Sequence, residues 1–428
     1  MEICGFILTK KRQNCLKLRR LAVFLLFLLF LRHGNPFVII PVMGSYLVKD
    51  GFAGADIEHI YRDRFAAGNH VELLWRGQEA FKRILESVKS ARSFICLEFY
   101  IYRNDDTGME LSAILKEKAR KGVKVYMLYD HFGSIGTPRS FWREMREAGV
   151  RVGSSYVFKF YAPLRYAHRD HRKLLIIDGD TAFTGGLNIA NEYMGLHLRH
   201  KKGWRDTGVL ITGPAAHVLM EKFRKSWNVW GKGPLKVAPP RCPLKGRLPV
   251  IPIFAGSGKG RRRLRRLLYY SINHAKKSIL LTTAYFVPSR RMIETLEAAS
   301  RRGVDVKLLL QGHTDVPIAK YAGMACYERL LKAGIEIYHY MGQVLHAKTY
   351  VFDLTWSIVG SANLDFQSLR WNDEGNVGIL DEGFAGMLRD VFHEDLANAQ
   401  EITLEQWRQR PFADKCKEQL FFLLKRRL

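Results

Sequence analysis

Short apolar runs bounded by polar residues predict the strands of this chain. One such run extends from Leu174 to Ile177 and ends at Asp178, and it is typical of a strand covered on both faces. His171 and Lys173 stand at the start of this strand. Because residues i and i+2 of a strand project from the same face, the imidazole and the ammonium group would lie side by side. A titratable ring beside a positive charge marks this strand as a candidate functional site.

The same pattern occurs again in the second half of the chain. The sequence HAKTYVFD, residues 346–353, repeats the His, Lys and Asp spacing of HRKLLIID, residues 171–178. One such match is weak evidence, but both copies are followed at the same distance by a glycine-containing loop and an asparagine. These are Asn188 in TAFTGGLN and Asn363 in WSIVGSAN. Each half is therefore predicted to contain a strand, a turn, a second strand, a glycine loop and a helix.

The repeat extends over most of Val71 to Phe392. RKGVKVYMLYD resembles RRGVDVKLLLQ, and in both the glycine after a basic helix end predicts a C-cap followed by a strand. A period this long predicts two related α/β domains rather than a solenoid. We place an N-terminal segment, a first domain, a Pro-rich linker, a second domain and a C-terminal tail at residues 1–65, 66–235, 236–250, 251–400 and 401–428.

The N-terminal segment combines a basic run with eleven apolar residues, Leu21 to Leu31. As a helix this stretch would span roughly 16 Å, whereas a bilayer core of about 30 Å needs around 20 residues. We favour an uncleaved anchor that lies on the membrane, with its basic flank on anionic lipid. A short true span and a cleaved signal peptide are the alternatives. The basic and apolar tail CKEQLFFLLKRRL either docks on the membrane or packs on the body.

Charge and cysteine content narrow the function classes. The chain has 428 residues, with 68 Lys and Arg against 41 Asp and Glu, and a formal net charge of +27. Such a surface attracts polyanions, which include nucleic acid, an anionic membrane and phosphorylated substrates. The six cysteines are scattered without a CxxC pair, which indicates free thiols in a reducing compartment and argues against a zinc site.

The repeated residues favour chemistry at phosphorus. Two histidines from related halves can meet at a pseudo-two-fold interface, one as nucleophile and the other as general acid and base. The lysines, the asparagines and the following helix N-termini can surround the oxygens of a phosphoryl group without a metal or another cofactor. Asp206 in GWRDTG and Glu374 in WNDEGN follow the asparagines at corresponding places. We assign these two carboxylates to orient the histidines.

Three other features carry less weight. GSGKG, residues 256–260, lacks the spacing of a nucleotide-binding P-loop and is interpreted as a loop before a basic helix. HRDH, residues 168–171, has no further thiol or carboxylate set to complete a metal site. The helix-like RRRLRRLLYYSI is either a solvated basic face or a surface that contacts lipid head groups.

The chain resembles the phospholipase D superfamily in its two HKD motifs, which are His171, Lys173 and Asp178 in the first half and His346, Lys348 and Asp353 in the second. Asn188 and Asn363 match the asparagines that follow these motifs. The surrounding sequence resembles the bacterial cardiolipin synthase branch of the superfamily, for example in LEFYIY, GGLNIANEY and GSANLDFQSLRWNDE. The resemblance covers about residues 70 to 410.

This resemblance implies a fold and a mechanism. Each domain would hold a mixed β-sheet flanked by helices, and the two domains, related by a pseudo-two-fold axis, would share one active site. His171 would attack phosphorus to form a phosphatidyl-histidine. His346 would protonate the departing alcohol and then deprotonate the incoming hydroxyl. Lys173, Lys348 and the two asparagines would hold the phosphate oxygens.

The resemblance also implies substrates and a location. A cardiolipin synthase typically uses phosphatidylglycerol as both donor and acceptor and releases glycerol, although some relatives use phosphatidylethanolamine as donor. The expected partner is an anionic phospholipid membrane and not nucleic acid, at the cell (inner) membrane with the catalytic body on the cytoplasmic side. Asp178 and Asp353 stand at the far ends of their strands and are expected to be structural members of the motifs. The oligomeric state is left open.

Three functional classes agree with the sequence. The first is a phosphatidyltransferase, the second is a phospholipase D-type hydrolase or a nucleic-acid phosphodiesterase, and the third is an inactive lipid-binding scaffold. The apolar N-terminal run favours lipid over nucleic acid, and intact His and Lys residues in both halves argue against a scaffold. Transfer and hydrolysis share one intermediate, so the sequence does not separate them.

Overall fold

The computed structural model describes residues 51–157, 168–194, 203–237 and 243–411, together with Lys415 and Phe421. All of these residues belong to one compact unit, residues 46–428. The predicted membrane anchor at Leu21–Leu31 and most of the predicted C-terminal tail lie outside the described residues. Within the described part of the chain, no helix is both long enough and apolar enough to cross a bilayer.

Each half of the chain contributes a set of strands. In the first half these are β1 (Ala66–Leu74), β2 (Phe94–Phe99), β3 (Lys124–Asp130), β4 (Arg151–Ser155), β5 (Lys173–Ile177), β6 (Thr181–Gly185), β7 (Trp204–Arg205) and β8 (Gly208–Thr212). In the second half they are β9 (Leu248–Phe254), β10 (Ser278–Thr282), β11 (Asp305–His313), β12 (Glu336–Leu345), β13 (Thr349–Phe352), β14 (Trp356–Gly360), β15 (Gly375–Leu380) and β16 (Ala399–Glu401).

Helices connect most of these strands. Those up to the linker are α1 (Gly54–Tyr61), α2 (Gly77–Ser90), α3 (Asp106–Arg120), α4 (Arg139–Glu147), a 3₁₀ turn (Asn191–Met194) and α5 (Pro214–Trp230). Those after it are α6 (Gly258–His274), α7 (Arg290–Arg301), α8 (Pro317–Met324), α9 (Tyr327–Lys332), α10 (Phe366–Arg370), α11 (Glu382–Leu396) and α12 (Leu404–Gln409).

The two halves have the same sheet topology. From their junction outward, the first half follows the order β1-β8-β6-β5-β2-β3-β4 and the second follows β9-β15-β14-β13-β10-β11-β12, with β16 beyond it. In each half the three outer strands pair in parallel and the others pair antiparallel, so both half-sheets are mixed. The predicted fold class, two related α/β domains with mixed sheets flanked by helices, is confirmed.

Three large hydrophobic cores hold these layers together, and a small fourth cluster lies at Val287, Ala319 and Ala322. One core belongs to the first half and lies between its sheet and helices α2, α3 and α4. A second belongs to the second half and contains α1, α6, α7 and α9. The third is shared, because it combines strand residues of both half-sheets with apolar residues of α5 and α11. The shared core joins the two halves.

Local sequence explains how several elements begin and end. The glycines after the basic helix ends, Gly122 and Gly303, both have positive φ (90° and 84°), which confirms the predicted C-caps. Strand β5 is buried along its whole length, as the apolar run Leu174–Ile177 predicts. Helices α6 and α7 begin with serine N-caps, in which Ser257 accepts a hydrogen bond from Gly260 and Ser289 accepts one from Met292.

Three elements of the folded body lie in segments that the sequence analysis placed outside the two domains. Helix α1 lies in the predicted N-terminal segment, yet Ile57 and Tyr61 are buried in the core of the second half. Strand β9 begins at Leu248, inside the predicted linker. Helix α12 lies in the predicted tail but buries Trp407 in the same core as α1. In each case, burial of apolar side chains draws a segment of unremarkable composition into the folded body.

Candidate active site

A pair of backbone bridges crosses between the two halves next to the histidines. In one bridge the amide of His171 donates to the carbonyl of Asp373 (2.9 Å), and the amide of Asp373 donates to the carbonyl of Arg169 (2.8 Å). In the other, β7 pairs in parallel with β12, and the amide of His346 donates to the carbonyl of Arg205 (2.7 Å). Each histidine is thus fixed beside the residue that precedes a carboxylate of the opposite half.

The side chains pair in the same crossed way. His171 Nδ1 lies 3.0 Å from Glu374 Oε2, and His346 Nδ1 lies 2.6 Å from Asp206 Oδ2. Both histidines and both carboxylates are buried. A neutral histidine that donates its Nδ1–H to a carboxylate carries its lone pair on Nε2. The structure therefore brings together the two predicted histidines and the two predicted carboxylates, an arrangement in which the lone pair of a neutral ring stands on Nε2.

The two predicted lysines lie beside the histidines. Lys173 Nζ donates to the carbonyl oxygen of His171 (2.7 Å), and Lys348 Nζ donates to the carbonyl oxygen of His346. Burial lowers the pKa of Lys173 to about 7 and that of Lys348 to about 8, although Glu374 and Asp206, respectively, act in the opposite direction. Each lysine is thus an ammonium group that can lose its proton near neutral pH.

Charges from the two halves act on one another. Burial lowers the pKa of His171 to about 4 against the effect of Glu374, and both lysines add to the shift. Burial also lowers the pKa of His346, with Lys348 and Lys173 contributing. Because Lys348 acts on His171 and Lys173 acts on His346, the two motifs form one electrostatic unit.

The orienting carboxylates remain ionised. Burial alone would raise the pKa of Asp206 and Glu374, but the adjacent histidine in each case, together with a lysine, outweighs burial and lowers the pKa. Ser361 also donates a hydrogen bond to Glu374. Each carboxylate can therefore hold its histidine ring in one orientation and stabilise a positive charge that develops on it.

The two asparagines each tie down a loop. Asn188 Oδ1 accepts a hydrogen bond from the amide of Ile101 (3.0 Å), and its Nδ2 donates to the hydroxyl of Tyr193 (2.7 Å). Asn363 Oδ1 accepts a bond from the amide of Tyr285 (3.3 Å). Both asparagines thus hold the chain where it leaves β2 or β10. Their direct contact with phosphate stays a prediction.

Asp178 and Asp353 lie away from the histidines. The carboxylate of Asp178 accepts bonds from the amides of residues 92–94, and that of Asp353 accepts bonds from the amides of residues 276–278. Each aspartate stands seven positions after its histidine, at the other end of the strand, which is roughly 20 Å at about 3.3 Å per residue. Both aspartates have positive φ at the hairpin turn (50° and 52°). Their contacts are those of structural supports.

Aromatic residues surround the histidine rings and were not predicted from the sequence. The Tyr100 ring packs edge-on against His171 with centroids 4.9 Å apart, and Lys173 Nζ lies 5.1 Å from the same ring. Tyr193 and Trp204 lie 5.5 and 5.3 Å from the ring of His346. Tyr100, the first tyrosine of LEFYIY, could have been noticed because it directly follows β2, the strand that pairs with β5.

A buried charge cluster centred on Arg172 was also not predicted from the sequence. Its guanidinium lies 2.9 Å from Glu98, 3.2 Å from Asp170 and 2.7 Å from Asp373. Asp373 belongs to the second half, so the cluster crosses between the halves directly behind His171. One feature of the sequence could have indicated this cluster. The first motif reads RDHRK and the second reads VLHAK, so Ala347 stands where the first motif has Arg172.

A second buried ion pair anchors the other side. Arg205 Nη2 lies 2.8 Å from Asp395 Oδ2, and Arg205 immediately precedes Asp206. The residue before each orienting carboxylate, Arg205 or Asp373, is therefore held by an ion pair to the opposite half. As regards metals, the described residues contain no group of three His, Cys, Asp or Glu side chains that could hold an ion.

Comparison with known proteins gives a consistent result. The family model described as "Cardiolipin synthase, PLD-like domain" matches residues 84–227 and 268–396. The chain is 35% identical over 365 residues to the major cardiolipin synthase ClsA of Bacillus subtilis (strain 168), with 84% of this chain and 76% of the relative covered. It is 34% identical over 355 residues to cardiolipin synthase A of Pseudomonas fluorescens (strain SBW25), with 80% and 72% covered.

A solved structure shares the fold at low identity. The phosphatidylserine synthase of Haemophilus influenzae Rd KW20 superposes with a TM-score of 0.65 at 15% identity, covering 88% of this chain and 100% of that one. This likeness supports the two-domain architecture.

Replacing Arg172 by Met should destabilise the fold. The change leaves the buried carboxylates of Glu98 and Asp170 without their cation and leaves Asp373 with Arg261 alone (3.1 Å). Breaking a buried ion pair in this way costs about 3–5 kcal/mol. Urea denaturation measures the change. Arg329→Met, which removes a more exposed ion pair with Glu297 (2.7 Å), is the control and should cost about 1 kcal/mol or less. Equal effects of the two substitutions would contradict a central role for the cluster.

The lysines should give activity an alkaline limit. The ammonium forms of Lys173 and Lys348 exist below their pKa values, which are about 7 and about 8. Positive charge is therefore lost as the pH rises through this range, and kcat/KM for a soluble anionic phosphodiester should fall. An ordinary lysine would not titrate until about pH 10.4. In Lys348→Arg, which stays charged, any residual activity should fall less steeply. A flat profile up to pH 9.5 would rule out the titrating lysines.

Proposed function

The chain belongs to the family of cardiolipin synthases with phospholipase D-like domains, and from this premise we propose that it transfers a phosphatidyl group between two phosphatidylglycerol molecules. The products are cardiolipin and glycerol. The observation that carries the proposal is the crossed pairing of each motif histidine with a carboxylate of the other half, beside two buried lysines. This set supplies a nucleophile, an acid–base group and a cationic clamp at one place.

In the first step His171 acts as the nucleophile. Its Nε2 lone pair attacks phosphorus of the donor, the P–N bond forms, and the bond from phosphorus to the glycerol head-group oxygen breaks. The anionic donor phosphate favours the protonated form of His346, against the burial that lowers the pKa of this ring. Protonated His346 then gives its Nε2 proton to the departing oxygen. Glu374 stabilises the positive charge that His171 gains as the phosphatidyl-histidine forms. Free glycerol leaves.

In the second step His346 acts as a base. It removes the proton from a terminal hydroxyl of the second phosphatidylglycerol, and the resulting oxygen attacks phosphorus. The P–O bond forms while the P–N bond to His171 breaks. His346 ends the cycle protonated and His171 ends it neutral, so both histidines return to their starting states.

The lysines and asparagines form the phosphate clamp in this proposal. An anionic phosphate favours the ammonium form of a neighbouring lysine, so substrate binding recharges Lys173 and Lys348 against the effect of burial. The amide groups of Asn188 and Asn363 add neutral donors from loops that are already hydrogen-bonded. The extra negative charge of the transition state then meets positive groups in a site with little water.

The finer assignments follow from the same proposal. The donor and acceptor lie in an anionic membrane, at the cell (inner) membrane with the catalytic body on the cytoplasmic side. The Leu21–Leu31 run and the net charge of +27 support this placement. The strand order is the same in both halves when counted outward from their junction. This repeat supports two domains, which we place at residues 66–235 and 251–400 with a linker between them.

The two histidines should behave differently in a trapping experiment. With a donor that has a good leaving group, His346→Ala should still accumulate an acid-labile phosphatidyl-histidine, because such a donor needs no general acid. His171→Ala should accumulate none. Peptide mass spectrometry at mildly alkaline pH locates the adduct, and His274→Ala, at an exposed position, serves as the control. An adduct found on His346 and never on His171 would reverse the assignment.

Product analysis should show transfer in place of hydrolysis. A well-oriented acceptor can reach an effective molarity of about 10⁵ M or more, which exceeds the concentration of bulk water. Purified protein with phosphatidylglycerol vesicles should yield cardiolipin and glycerol in nearly equal amounts, with little phosphatidic acid. Excess glycerol added to cardiolipin should regenerate phosphatidylglycerol, and His171→Ala should do neither. If phosphatidic acid dominates in both directions, the protein is a hydrolase.

A further inference from the structure

Exposed apolar side chains gather at the edge of the sheet that carries the histidines. In the first half this is the edge at which β2, β3 and β4 end and β5 begins. Ile135 follows β3 and is 70% exposed, while Val157 follows β4 and is 44% exposed. Trp371, which is 40% exposed, directly precedes the segment that carries Glu374. Single exposed apolar residues are normal on a protein surface, but three large apolar side chains on one edge indicate an interaction surface.

Ring contacts join these positions into one surface. Trp371 packs against His168 with centroids 5.2 Å apart, and His168 stacks on Tyr156, which precedes Val157, at 5.9 Å. On the side of Ile135, the guanidinium of Arg169 lies 4.1 Å above the ring of Phe132. The chain from residue 168 to residue 169 thus connects Trp371 with the loop that carries Ile135.

Arginines without acidic partners border this surface. Arg262, Arg265 and Arg370 make no ion pair within 4.0 Å among the described residues. Arg265 Nη1 donates to the carbonyl of Leu369, which brings α6 next to α10 and Arg370. Burial and then the neighbouring Arg370 lower the pKa of Arg265. These like charges repel one another, and an anionic surface placed opposite would relieve that repulsion.

The surface also lies at a suitable height above the histidines. Residues 168–171 and 371–374 run side by side through the bridge between Asp170 and Asp373. Three residues of chain span at most about 10 Å, so Trp371 lies within roughly that distance of the His171–Glu374 pair. The polar zone on each side of a bilayer core is about 5–8 Å thick. With Trp371 in that zone, a head-group phosphate needs only a short displacement to reach His171.

We propose that this docking surface, formed by Phe132, Ile135, Val157, Trp371, Arg262, Arg265 and Arg370, inserts into the head-group region of an anionic bilayer. The inference rests on the proposed function, because that function places both substrates in a membrane. Apolar side chains enter the boundary of the acyl chains, tryptophan takes its favoured interfacial position, and the arginines contact lipid phosphates. The folded body is thereby oriented with its active site facing the lipid.

Charge favours a bilayer over a second copy of the chain as the occupant. In a two-fold dimer the same patch meets itself, so the arginine cluster would face an identical cluster. The net charge of +27 adds to this repulsion. An anionic bilayer instead offers the opposite charge together with an apolar interior, and it matches both parts of the docking surface.

Tryptophan quenching by brominated lipid tests the insertion in the full-length chain. Ile135→Trp adds a fluorophore on the docking surface, and Leu244→Trp adds one beside Gly68, near the start of β1, at a site that is also 70% exposed. Vesicles of phosphatidylglycerol and brominated phosphatidylcholine should quench added fluorescence in Ile135→Trp only. Equal quenching in both variants, or none at position 135, overturns the proposal.

Substitutions that change charge or polarity give a second test, in which the vesicle partition coefficient is measured. Ile135→Asp should lower the vesicle partition coefficient about tenfold, and Arg370→Glu should lower it about fivefold for each unit of charge changed. The matched controls Leu244→Asp and Arg301→Glu should change it less than twofold, and unchanged thermal unfolding excludes misfolding. Equal losses in the controls, or a dimer in sedimentation that Ile135→Asp dissociates, would refute docking to lipid.

These readouts need no turnover, so they separate this inference from the proposed function. Cardiolipin formation without insertion at position 135 refutes the docking surface alone. Insertion at position 135 without cardiolipin formation refutes the transferase and leaves the surface as a membrane-binding face. The transfer assay is run on the same preparations for this purpose.

Discussion

The crossed contact between the two halves is the constraint on which the site depends. A histidine from one half meets a carboxylate from the other, at 3.0 Å for His171 and Glu374 and 2.6 Å for His346 and Asp206. Backbone hydrogen bonds beside each pair fix the position of the histidine relative to the carboxylate. The amide of each histidine donates to the carbonyl of the residue that precedes the carboxylate of the opposite half. The shared hydrophobic core holds the half-sheets at the distance that these bridges require. Packing, backbone pairing and side-chain chemistry thus act through one interface.

Burial gives the site its reactivity. It lowers the pKa of both histidines and both lysines, while the neighbouring cations keep Asp206 and Glu374 ionised. The site is therefore held in a state that an incoming anion stabilises. The two sides are not equivalent, because the Arg172 cluster lies behind His171 whereas Ala347 occupies the corresponding place behind His346. In the proposed mechanism one histidine is the nucleophile and the other carries the proton, and this asymmetry would give them different surroundings.

Much of this arrangement could be predicted from the sequence because the repeat encodes it. The paired motifs identified the histidines, lysines, asparagines and carboxylates, and the glycine C-caps and the buried strand β5 followed from local pattern. The crossing could not be predicted, since local spacing does not say whether Glu374 serves the histidine of its own half or that of the other. The Arg172 cluster could not be predicted because its members come from three distant segments. The segment bounds stay a prediction, and the repeat did not reveal that Ile57 and Trp407 join the core of the second half.

The crossed bridges also bear on how the protein comes into being on the ribosome. The carboxylate that serves His171 lies more than two hundred residues downstream of it, near the end of the second domain. A nascent chain carrying a complete first domain would therefore hold both His171 and Lys173 without an oriented imidazole. Catalytic competence would be acquired late in synthesis, after both domains have been made and joined. In the proposed mechanism, incomplete chains would therefore lack the two oriented histidines that phosphatidyl transfer needs.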